Sequence, residues 1–218
     1  MPNDFSSEAL SILNASESNL TATVLDQELR VLLLTAANAG SGTTTAAMTL
    51  AGELARSSHA PVLLADASQP GNKHGGGLTC RLDLQKHPGF MDLVLPEAPP
   101  LAECIVHVEG LPFDVMPVGN RQWRSERLTP RNLHALFAQL GERYRFVVID
   151  GEAVYGSPDT LAISTQVDGV VLVVRGEETR WEVARAAIQR LTQAGARLTG
   201  CIFNARRYYM PKWVYDHL

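Results

Sequence analysis

Lysine is scarce in this chain: only Lys73, Lys86 and Lys212 appear among nineteen basic residues in a sequence of 218. The basic side chains are scattered rather than striped, the net charge is −4 and the sequence pI is near 5.9. Affinity for polyanions rests on clustered Lys and Arg, so a general nucleic-acid role is excluded. Cysteine is equally sparse. Cys80, Cys104 and Cys201 are odd in number, widely spaced and form no CxxC pair, which signals neither a disulfide framework nor a zinc site. A reducing, cytoplasmic setting fits this usage. No signal peptide is legible and no apolar run approaches the roughly 18 residues of a membrane span, so the chain itself is not expected to cross a bilayer. The six histidines are dispersed without an H-x-x-x-H pair, and no serine sits in a G-x-S-x-G elbow. Metal-dependent hydrolysis and triad-based acyl transfer therefore lack their residues.

Apolar residues make up 45% of the chain, enough for one sizeable core. They fall in short continuous runs separated by helical patterns. Strands are expected at Val31 to Leu34, Pro61 to Ala65, Pro112 to Val118, Phe146 to Ile149, Val170 to Val174 and Leu198 to Phe203. Helices are expected at Phe5 to Leu20, Thr44 to Arg56, Gly89 to Leu95, Pro130 to Arg143, Asp159 to Ser164 and Arg180 to Ala194, with a glycine-rich loop from Gly71 to Gly77. All-apolar strands alternating with helices imply a mostly parallel sheet covered on both faces, hence a single three-layer α/β domain. Its bounds are placed at 30–207, with a helix and flexible lead over 1–29 and an aromatic and basic tail over 208–218.

In such sheets the ligand crevice lies beyond the carboxyl ends of the strands. The segment Thr35-Ala36-Ala37-Asn38-Ala39-Gly40-Ser41-Gly42-Thr43-Thr44-Thr45 follows the first strand, where a phosphate-binding loop belongs. A loop of the G-x-x-x-x-G-K-[ST] kind uses glycine amides to cradle phosphate, a lysine to reach the β- and γ-phosphates, and a hydroxyl on Mg²⁺. Gly42 and Thr44 keep their places, but Thr43 stands where lysine is needed. Asp66 and Asp150 fall at the ends of two further strands, so Thr44, Asp66 and Asp150 form a candidate magnesium set. Turn formation or helix capping is the plainer role for the two acids. Gly40, Ser41, Gly42, Thr43, Thr44 and Thr45 are the candidate nucleotide-binding residues, with ATP or ADP and Mg²⁺ as cofactors.

Thr35 to Thr45 resembles the P-loop of bacterial tyrosine kinases and their MinD/ParA-like relatives. So do Val62 to Ala67, Phe113 to Gly119, Phe146 to Asp150, Asp168 to Arg175 and Gly200 to Asn204, and together these runs cover residues 30 to 207. The resemblance implies a P-loop NTPase fold and an adenine contact at Asn204. It also implies a role beside a membrane-embedded chain-length regulator or co-polymerase in bacterial exopolysaccharide assembly or export. The departures are specific. Thr43 replaces the loop lysine, Asn38 replaces the second, signature lysine of partition ATPases, Ser68 replaces a further acid, and Gly151-Glu152-Ala153 follows Asp150.

Losing one charge-assisted hydrogen bond costs about 1.5 to 3 kcal/mol of binding, whereas losing a donor aimed at developing charge costs about 10² to 10³ in rate. Turnover is thus expected to fail before binding, leaving a degenerate, weakly active or inactive nucleotide-binding protein with a regulatory or adaptor role. Glu152 could orient water and Arg175 could supply charge; a solvated loop acid is the plainer role for Glu152. Partners expected are the membrane protein, an active relative or a second copy. The tail Ala205 to Tyr215 interleaves basic and aromatic residues and suits peripheral contact at the inner membrane or packing on its own domain.

Two alternatives stay open. An active partition or positioning ATPase of the ParA/MinD type is disfavoured by Asn38. An NAD-binding oxidoreductase would use Gly40-Ser41-Gly42 and Asp66, but Thr45 takes the place of the third glycine, and Tyr208 and Lys212 form Y-x-x-x-K beside Pro211.

Overall fold

The computed structural model describes residues 17–68, 77–94, 97–119 and 128–204. The glycine-rich loop over 71–76, most of the Phe5 to Leu20 helix, and the aromatic tail lie outside these residues. Arg121 and Arg124, which the sequence offers as less well placed alternatives to Arg175 for supplying charge, do as well.

Seven strands form one sheet in the order β3-β4-β2-β5-β1-β6-β7. They are β1 (Val31–Ala36), β2 (Val62–Ala67), β3 (Val106–His107), β4 (Asp114–Met116), β5 (Phe146–Gly151), β6 (Gly169–Arg175) and β7 (Leu198–Asn204). All pairings are parallel except β3 with β4. That two-residue edge strand was not legible as a strand, since Val106 and His107 carry too short a pattern. The expected strand from Pro112 narrows to Asp114–Met116.

Why the strands read as unbroken apolar runs is visible in their packing. Leu33, Leu63, Val147, Ile149, Val170 and Leu172 point into one core, while Leu32, Leu34, Val62, Leu64, Val148, Val171 and Val173 point into another. Successive side chains alternate across the sheet, and both faces are dry. Each fully buried Leu or Val contributes about 1.5 to 3 kcal/mol, so the paired cores account for much of the driving force.

Two helices cover one face: α1 (Glu17–Asp26), which supplies Leu20 and Val24, and α2 (Thr43–Ser58). After β2 comes the short α3 (Leu78–Arg81), and α4 (Phe90–Leu93), α5 (Pro130–Gly141), α6 (Pro158–Ser164) and α7 (Trp181–Gln193) follow. Capping is written in the sequence. Thr129 accepts from the Asn132 amide and Ser157 from the Asp159 amide, each with proline at the first helical position. The long helix α2 stops where His59 takes a left-handed conformation, φ 52°.

Candidate functional site

The loop between β1 and α2 is built by backbone geometry. Gly40 and Gly42 have φ of +77° and +88°, a region where a Cβ is strained, and Gly42 stands directly before α2. Ser41 is buried and donates to the Asn38 carbonyl over 2.7 Å, closing the turn. Asn204, at the end of β7, donates to the Ser41 carbonyl over 2.9 Å and packs on Gly42. The residue singled out for adenine is thus also a brace for the loop.

No side chain caps α2, and the Ala46 amide donates to the Gly42 carbonyl over 3.0 Å. The opening turn borders a cleft of about 370 Å³ lined by the loop, Thr43, Thr44, Ser68, Gly77, Arg81, Asp150, Glu152 and Arg175. A sixteen-residue helix with an uncapped start presents partial positive charge there, suited to an anion.

Asp66 and Asp150 are in register on neighbouring strands β2 and β5, and both continue the sheet face that packs under α2. They lie inside the strands rather than after them. Asp150 is 2% exposed, hydrogen-bonded to the Thr44 side chain, and its Oδ2 has no hydrogen-bond partner. Burial pushes its pKa up to about 8, and the Asp66 and Glu152 charges add to the rise. Thr44 and the Arg81 guanidinium oppose it. A buried, unsatisfied carboxylate oxygen beside a hydroxyl is the donor set that Mg²⁺ takes, with water completing the shell. Mg²⁺ would supply neutralisation of phosphate charge at this point. Among the described residues no group of three or more His, Cys, Asp or Glu makes a closed metal cage.

Asp66 is engaged differently. Its Oδ1 accepts from the amide and hydroxyl of Ser68 at 3.0 and 2.6 Å, and its Oδ2 from the amide and hydroxyl of Thr79 at 2.9 and 2.6 Å. Two donors on each oxygen fill the usual acceptor positions of a carboxylate. A direct metal role for Asp66 would have to displace one of them. The same bonds fasten α3 to the end of β2, and Thr79 is held in turn by accepting from the Val118 amide over 2.9 Å.

Glu152 and Arg175 both line the cleft. The Glu152 carbonyl accepts from the Thr35 and Thr160 hydroxyls. Arg175 donates to the Gly40 carbonyl over 3.2 Å and pairs with Glu178 at 3.0 Å. Sequence reasoning missed Arg81, which donates to the Thr45 hydroxyl over 3.1 Å from a position 36 residues further along the chain. Nothing local in the sequence marks it, because its place depends on how α3 is tied to Asp66.

The sheet order, the loop and the acid on β5 define a MinD/ParA-like P-loop NTPase fold. No protein-family model matches the chain. Over 199 residues, 90% of this chain, it is 28% identical to the tyrosine-protein kinase Etk of Escherichia coli K12. It spans 26% of the length of that relative. Among solved structures it resembles the VpsO kinase domain, with a TM-score of 0.69 and 25% identity over 93% of this chain and 100% of that one. The BceF tyrosine kinase domain gives a TM-score of 0.67 and 26% identity over 86% and 73% of the two chains. MinD from Pyrococcus horikoshii OT3, solved with Mg-ADP, matches in fold with a TM-score of 0.63 and 19% identity over 86% and 76%.

Proposed function

We propose that this protein binds an adenine nucleotide with Mg²⁺ in the cleft over α2 and turns it over slowly or not at all. One observation carries the reading. The cleft keeps an uncapped helix start and the Thr44–Asp150 pair with its orphaned oxygen, while Thr43 occupies the place of the loop lysine. Backbone amides and a metal carboxylate supply affinity; the charge that stabilises a phosphoryl group in transit is missing from the loop.

The likeness to Etk, VpsO and BceF supports a kinase-derived component of bacterial exopolysaccharide assembly or export, working as a regulator or adaptor. In that setting its partner is a membrane co-polymerase or an active relative, and it works at the cytoplasmic face of the inner membrane. No described helix is long and apolar enough to cross a membrane, which fits a peripheral component.

Calorimetric titration with MgATP, repeated on Thr43→Lys, tests the reading. Measurable binding by the wild type and a gain of tenfold or more on restoring lysine, the scale of one charge-assisted bond of about 1.5 to 3 kcal/mol, is the expected result. No heat with either protein overturns it.

A further inference from the structure

Resting on the nucleotide reading above, we propose that Arg175 is a positioning residue of the phosphate-binding loop, which together with Asn204 holds two successive loop carbonyls and thereby aims the amides that cradle phosphate. Gly40 and Gly42 give the loop its two left-handed turns, φ +77° and +88°, but glycine also has the largest backbone freedom of any residue. A cradle built on them has to be held from outside. Arg175 Nη1 donates to the Gly40 carbonyl over 3.2 Å, and Asn204 Nδ2 donates to the Ser41 carbonyl over 2.9 Å. In a planar trans peptide the carbonyl and the next amide point in opposite directions. Fixing these two carbonyls therefore fixes the directions of the Ser41 and Gly42 N–H groups, directly before α2.

How the two grips come to lie side by side follows from the sheet. Arg175 ends β6, Asn204 ends β7, and the two are partners in the parallel register. The Gly176 amide donates to the Asn204 carbonyl over 2.8 Å, tying the strand ends together. Beyond Arg175 the chain closes a turn in which the Thr179 amide donates to the Arg175 carbonyl over 3.0 Å and the Arg175 amide to the Thr179 hydroxyl over 3.3 Å. This turn brings Glu178 to Arg175 Nη2 at 3.0 Å. With 42% and 63% of the two side chains exposed, the pair contributes little energy, but it holds Nη2 of the planar guanidinium while Nη1 reaches Gly40. The sequence offered Arg175 as a charge for phosphate; its bonds place it on the loop instead. Preorganising the loop removes an ordering cost that a ligand would otherwise meet, so affinity rises without a contact to the ligand.

The experiment combines calorimetric titration of the full chain with ¹⁵N relaxation of the ligand-free protein, using wild type, Arg175→Met, Arg175→Lys, Asn204→Ala and Arg175→Met combined with Asn204→Ala. The ligands are MgATP and magnesium tripolyphosphate, which has no base. Expected is a loss of about tenfold for Arg175→Met with both ligands, partly recovered in Arg175→Lys, and a similar loss for Asn204→Ala with both. The double variant is expected to lose less than the product of the two single losses, because both grips act through one loop. Without ligand, the order parameters of the Ser41 and Gly42 amides are expected to fall in Arg175→Met from about 0.85, the rigid range, towards the flexible range below about 0.6. Affinity unchanged by Arg175→Met overturns the positioning role and leaves the nucleotide reading standing. Affinity lost with unchanged order parameters overturns it as well, because Arg175 then touches the phosphates directly. Single losses that multiply in the double variant, or an Asn204→Ala loss confined to MgATP, separate the two residues and overturn their joint grip. A wild type that binds neither ligand overturns the nucleotide reading, and the order parameters alone then decide the role of Arg175.

Discussion

The hydroxyl of Thr79 donates to Oδ2 of Asp66 over 2.6 Å, linking α3 to the end of β2 across thirteen residues of sequence. The same oxygen takes the Thr79 amide, and the Thr79 hydroxyl accepts from Val118, so one buried side chain joins three segments. Thr79→Ala is expected to lower stability by about 1 to 3 kcal/mol, the cost of leaving buried partners unsatisfied. Thr79→Ser keeps the hydroxyl and should lose far less. Urea denaturation midpoints compare the two; equal losses would show that the methyl group, and not the hydroxyl, matters.

Gly40 and Gly42 offer a second comparison within the loop. A Cβ at Gly40 meets nothing within 4 Å, whereas one at Gly42 would clash with Asn204 Nδ2. Both carry left-handed φ and share the backbone strain of about 1 kcal/mol that a side chain incurs there. Gly42→Ala should therefore destabilise more than Gly40→Ala. Adding Asn204→Ala to Gly42→Ala should remove the excess but not the shared part. Thermal melting resolves the order, and equal melting temperatures for the two single variants would contradict the packing described for Asn204.

Much of this arrangement was legible in the sequence. The apolar runs at Val31, Phe146 and Val170 read as strands because both faces of each are buried, and Pro130 marked a helix start, while the helix expected from Asp159 begins one residue earlier at Pro158. Asp150 and Thr44 do come together as their positions after apolar runs suggested. The acceptor filling of Asp66 was not legible, since Thr79 reaches it only through the tertiary path of the chain. Arg81 was hidden for the same reason: its sequence neighbours Cys80 and Leu82 carry no motif, and only the fastening of α3 brings it to the loop. β3 escaped because two residues give no measurable alternation.

The raised pKa of Asp150 makes a prediction about pH. Its folded value is about 8 against an ordinary carboxylate value of about 3.9 in the unfolded chain. Between these values the folded state holds a proton that the unfolded state has released, so metal-free stability falls as pH rises from about 4 to about 8 and then levels. Asp150→Asn should flatten that slope. Denaturation in a chelator at several pH values measures it; a wild type and variant with parallel profiles would show that Asp150 is ionised throughout.

Thiol chemistry reports on one of the two cores at two separate points, Cys104 and Cys201. Burial raises the Cys104 pKa to about 11 and the Cys201 pKa to about 12, while Cys80 is exposed. The thiolate is the reacting form, so at pH 8 one cysteine should react quickly in the native protein and all three after denaturation. Mass spectrometry of the labelled chain identifies the sites. Rapid native labelling of Cys201 would contradict the seating of β7 against the core.

The central claim is that nucleotide is held without being consumed, and ³¹P NMR of MgATP mixed with the protein reads both at once. The expected spectrum shows the β- and γ-phosphate signals shifted or broadened by binding, with inorganic phosphate failing to accumulate over hours. Phosphate released at about 10 per second, the pace of an ordinary enzyme, would contradict the claim.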